Sequence, residues 1–137
     1  MNSPAHAAQR VREQREEGWY LLKVHEGLTA AEYDSMALTA NRLGMPYGGH
    51  IPNEVGLEHA LQAGQQTVDH LDGYLEFMGA MERPATDEQI QRAVDLSLES
   101  GAWVVPTMAL WESIIGAADW EAMRAVRGGE VHAAAGD

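Results

Sequence analysis

Trp19-Tyr20-Leu21-Leu22-Lys23-Val24-His25 is the stretch on which the fold turns. It is apolar and aromatic, and glycines 18 and 27 flank it, so it reads as a strand over Tyr20 to His25. Lys23 is the only lysine in 137 residues, and eight arginines carry the remaining fixed positive charge. A lysine inside a covered strand would be desolvated, which disfavours the ammonium and leaves a nucleophilic amine. Lys23 is therefore a candidate for chemistry.

Outward from this run, the chain alternates between two kinds of pattern. Before it, Ser3-Pro4 has the chemistry of an N-cap followed by N1, opening a polar helix from Ala5 to Glu17. After it, Thr29 with Glu32 forms a capping box for a helix that puts Tyr33, Met36, Ala37, Ala40 and Leu43 on one face. Gly44 closes that helix, and a second strand runs from Met45 to His50. A short helix from Gly56 to Ala63 and a third strand from Gln66 to Leu71, with His70 near its end, follow. A longer loop then leads to a second capping box, Thr86 with Gln89, whose helix ends at Ser100 before Gly101. The fourth strand is Ala102 to Thr107, and the tail reads as helix from Asp119 to Val126.

Strands alternating with helices imply parallel pairing through crossovers, an α/β architecture. The strands are short and apolar without clean alternation, as strands covered on both faces should be. Lys23, His25, His50, His70 and Thr107 all fall near carboxyl ends of strands, where α/β sheets and barrels place their active sites.

Composition narrows the function. A formal charge of -12 and a pI near 4.7 argue against nucleic acid and against an anionic membrane surface as partners. With no cysteine there is no disulfide framework, thiolate site or cysteine nucleophile. No apolar run is long enough to span a bilayer and no signal core opens the chain, so the expectation is a cytoplasmic protein.

The strings Leu22-Lys23-Val24-His25, Gly48-Gly49-His50-Ile51-Pro52, Gly56-Leu57 through Ala63-Gly64, and Val68-Asp69-His70-Leu71-Asp72 resemble the middle of the amidohydrolase superfamily. The nearest branch is its imidazolonepropionase-like and prolidase-like metal-dependent hydrolases. The resemblance runs from about Trp19 to Trp111 and implies a partial (βα)8 TIM barrel made of units four to seven. It implies one partial domain over residues 1–137: an N-terminal helix (1–18), the recognisable units (19–111), and a C-terminal helix and tail (112–137). By the same resemblance Lys23 is the lysine carboxylated to a carbamate that bridges two metals, and His50 and His70 are the histidine ligands ending strands five and six. The family's His-x-His pair and its strand-eight Gly-Thr-Asp aspartate have no counterpart in this sequence.

The residue types suit that chemistry. Imidazoles and carboxylates at ~2.0–2.2 Å suit zinc, and an open position on the ion lowers the pKa of bound water to about 7. The resemblance implies a metal-dependent hydrolase, using zinc or another divalent metal, of small substrates with amide-like C–N bonds, its catalytic domain incomplete in this chain. The competing reading is a non-catalytic barrel fragment or assembly module with a vestigial metal site; a third is a protein holding one ion through His50 and His70. Simpler roles stand beside each residue: Lys23 paired with Glu26, His50 bonded to backbone, His70 in a surface ion pair. His25 and His59 read as structural, and Tyr74 and Trp111 as pocket-lining or core aromatics. A half barrel exposes its inner face, expected to include Leu22, Val68 and Val104, so a homo-oligomer or a missing barrel half is expected to cover it.

Overall fold

A computed structural model describes residues 3–117. The chain falls into two compact units, Met1–Pro106 and Thr107–Asp137. The first holds α1 (Pro4–Glu16), β1 (Leu22–Val24), α2 (Ala30–Arg42), β2 (Tyr47–Gly49), α3 (Leu57–Gln62), β3 (Thr67–Asp69), α4 (Tyr74–Phe77), α5 (Asp87–Ser100) and β4 (Trp103–Val105). In the second, the described element is α6 (Met108–Ala117), which carries Trp111. The tail helix expected from Asp119 lies outside the described residues.

The helix starts follow from local chemistry. Ser3 Oγ accepts the His6 N–H at 3.2 Å, with Pro4 at the position where a missing N–H costs nothing. Both expected capping boxes form: Thr29 with Glu32 opens α2, and Thr86 with Gln89 opens α5. The Glu32 carboxylate accepts the Thr29 N–H and hydroxyl and lies below the ordinary glutamate range, chiefly because of the backbone bond. Leu43, expected on the buried face of α2, instead caps the helix and is exposed.

The four strands form one sheet in the order β1-β2-β3-β4, every neighbour parallel. Each strand has only three residues, so the expected runs are trimmed: Tyr20 and Leu21 are exposed and outside β1. Leu22, Val24, Tyr47 and Val68 join Tyr33, Met36, Ala37 and Ala40 of α2 and Leu57, Ala60 and Leu61 of α3 in one buried cluster. This corrects the expected inner face. Leu22 and Val68 are 6 % and 0 % exposed in the helix-covered core, and Val104 is partly buried against it. Alternation along the strands puts Lys23, Thr67, Asp69, Trp103 and Val105 on the other side, where Trp103 is 77 % exposed.

The long loop after β3 contains α4, and Tyr74 opens it with its side chain in the core. The Tyr74 and Ser97 hydroxyls are 2.6 Å apart, tying α4 to α5, so this aromatic serves the core. None of the described helices is long and apolar enough to cross a membrane.

Candidate metal centre

Three histidines stand immediately beyond three adjacent strands. His25 follows β1, His50 follows β2 and His70 follows β3. Their rings form a row: His25 and His50 centroids are 4.7 Å apart and tilted by 50°, and His50 and His70 are 4.8 Å apart and tilted by 37°. Backbone pairing aligns the row, since the His50 N–H donates to the Val24 carbonyl at 3.1 Å and the His70 N–H to Val105 at 2.9 Å. His25, read from sequence as structural, is thus a direct neighbour of His50.

Glycines make the approach of β1 and β2 close. A side chain on Gly49 would stand 2.6 Å from the Val24 carbonyl oxygen and 2.8 Å from Lys23 Cδ, and its φ of +122° suits glycine alone. The Lys23 stem therefore lies across a bare backbone. Its ammonium pairs with the Asp69 carboxylate rather than with Glu26. The Lys23 side chain is 51 % exposed, so it is not the buried lysine expected from the sequence.

Beyond β3 the chain turns sharply. His70 and Leu71 both have left-handed backbone, φ 61° and 64°, a conformation costing of order 1–3 kcal/mol for residues other than glycine. The turn brings Asp72 back to His50, whose Nδ1 lies 2.7 Å from Asp72 Oδ2. Donor atoms of Glu26, His50 and Asp72 all lie within 4.8 Å of one another. Two carboxylates and an imidazole from three separate strand ends thus converge, with the His70 ring beside His50.

Sequence reasoning named Lys23, His50 and His70 but passed over Glu26 and Asp72 as ligands. The signal for both was available: each is a carboxylate within two residues of a strand-end histidine. It also passed over Gln65, which holds the site from below at 2 % exposure. Its Nε2 donates toward the carbonyls of Gly49 (3.3 Å), His50 (3.2 Å) and Thr67 (3.0 Å), and its Oε1 accepts the Tyr33 hydroxyl at 2.8 Å. Burial raises the Tyr33 and Tyr47 hydroxyls above the ordinary tyrosine range, so both remain neutral donors. His59 is remote in role: its Nε2 meets Asp34 Oδ1 at 2.6 Å, linking α3 to α2. An open groove of 840 Å³ lined by Ile51, Leu57, His59, Gly73 and Phe77, among others, contains none of the clustered ligands.

The arrangement is that of a parallel α/β sheet with polar, ligand-type side chains gathered at its carboxyl edge. No protein-family profile matches the sequence, and no curated protein matches it. Among solved structures, the chain is similar to a bottromycin amidohydrolase at 24 % identity with a TM-score of 0.56. That match covers 77 % of this chain and 24 % of the other. It is also similar to a Xaa-Pro dipeptidase with methionine bound in its active site, at 23 % identity and a TM-score of 0.56, covering 83 % of this chain and 28 % of that one. The likeness is one of fold, and this chain spans about a quarter of the length of each.

Proposed function

We propose that this chain is part of a (βα)8 barrel of amidohydrolase type and contributes one side of a metal centre that hydrolyses amide-like C–N bonds in small substrates. The observation that carries the reading is the convergence of Glu26, His50 and Asp72 within 4.8 Å at the carboxyl edge of the sheet. The names of the two structural neighbours, an amidohydrolase and a dipeptidase, support hydrolysis as the reaction.

The donor set fits a divalent ion such as zinc. His50 giving its Nδ1 proton to Asp72 leaves Nε2 as the metal-facing nitrogen, an outer carboxylate orienting a ligating imidazole. Glu26 and the second Asp72 oxygen supply negative charge, and His70 supplies a second ring beside His50. When bound, the ion acidifies a water molecule and polarises the scissile carbonyl. Lys23 as an ammonium is paired with Asp69; a carbamate there would carry the opposite charge and would need a cation nearby to offset Asp69. Calorimetric titration with zinc tests the proposal. The native chain is expected to bind, and a His50→Ala/His70→Ala double variant to bind far more weakly. Identical isotherms would exclude these ligands.

A further inference from the structure

We infer that His25 is a further imidazole ligand of the ion held by His50, an inference that rests on the proposed metal centre. Two imidazoles bound to one tetrahedral ion through ~2.1 Å bonds have ring centroids about 5 Å apart. The His25 and His50 centroids are 4.7 Å apart, already at that spacing. The next residue, Glu26, places a carboxylate oxygen within 4.8 Å of the His50 and Asp72 donors, so the end of β1 reaches the proposed ion position. His25 is exposed, and its side chain can turn between staggered wells at little cost to direct a nitrogen at the ion.

With His25 the donor set becomes three imidazoles, His25, His50 and His70, and the Glu26 carboxylate, with Asp72 orienting His50 from behind, nitrogen and oxygen mixed. That composition suits zinc and similar first-row divalent ions, whereas calcium and magnesium prefer shells of oxygen alone. The centre is thereby selective for the former.

The experiment uses the full chain with zinc alone as the probe. Affinity is measured calorimetrically for the native protein and for His25→Ala, His50→Ala and His59→Ala, with circular dichroism checking that each variant folds. The nitrogen resonances of the imidazoles are followed by NMR in the native protein. His25→Ala is expected to bind about tenfold or more weakly, His59→Ala to match the native protein, and zinc to move a ring nitrogen of His25. A loss below threefold in His25→Ala, or a His25 resonance that stands still under zinc, would overturn the inference while leaving the His50 centre intact. A His50→Ala variant that binds as the native protein does would overturn the metal centre itself.

Discussion

Gln65 joins the packing of this molecule to its candidate chemistry, and Gln65→Leu separates the two. Leucine has similar bulk and keeps the backbone bond from the residue 65 N–H to the Ala60 carbonyl at 3.1 Å. What disappears is the side-chain amide. Its two N–H groups serve three carbonyls, those of Gly49, His50 and Thr67, and its oxygen takes the Tyr33 hydroxyl. Counted as one bond for each of the two N–H groups and one for the oxygen, at a net ~1 kcal/mol each, in a group 2 % exposed, the loss is about 3 kcal/mol. The Tyr33 hydroxyl keeps the long contact to the Ala60 carbonyl, at 3.5 Å, and its neighbour Tyr47, while the three carbonyls lose their side-chain donor. Against the ~5–15 kcal/mol of a native domain this is a large fraction. Guanidinium unfolding should show a lower midpoint with an unchanged slope. Because the carbonyls released belong to Gly49 and His50, zinc affinity should fall in the same variant. A change in stability below about 1 kcal/mol would refute the role assigned to Gln65.

Glu32 and Trp103 give two further expected outcomes. The Glu32 carboxyl is lowered below its ordinary value of 4.5, so its contribution to stability is present above that pH and is lost as pH falls through the lower folded value. The stability gap between native protein and Glu32→Gln, measured by denaturant unfolding, should be constant near neutrality and close on acidification below about pH 4; a gap independent of pH would show that the carboxylate is immaterial. On the open side of the sheet, Trp103 at 77 % exposure and Val105 at 41 % form the surface that we propose a second copy of the chain covers. Burying a Trp103 side chain from each copy, at about 2 kcal/mol apiece, means that Trp103→Glu should weaken the dimer about a thousandfold in sedimentation equilibrium. A native chain that is monomeric at micromolar concentration, with unfolding independent of concentration, would remove the premise.

Much of the architecture is legible in the sequence because its signals are local. Thr29 with Glu32 and Thr86 with Gln89 each announce a helix through atoms three residues apart, and both helices begin there. The strand order follows from strands alternating with helices, and the histidines at the strand ends were visible as residue types. The loop after β3 was opaque for the opposite reason. Four residues of α4 are too few for a periodic signal, and two consecutive left-handed residues at His70 and Leu71 obey no propensity that a leucine declares. That turn carries Asp72 to His50, so although Asp72 was visible as a carboxylate near a strand-end histidine, its pairing with His50 was not legible.

The face of the sheet was the larger error, and it has a physical root. A three-residue strand such as Leu22-Lys23-Val24 offers one alternation, buried, exposed, buried, and that single step decides everything. Taking the strand as covered on both sides made Lys23 a desolvated amine and sent Leu22 to the barrel interior. The lysine is itself the evidence against this, because two apolar neighbours on a helix-packed face force the residue between them onto the other side. There Lys23 meets Asp69, the same-face residue two strands away, across the bare backbone of Gly48 and Gly49. One register thus buries Leu22, Val24 and Val68 under helices and brings Lys23 and Asp69 together on the other face. The core and the candidate centre are therefore set by the same alternation, and shifting β1 by one residue would destroy both at once.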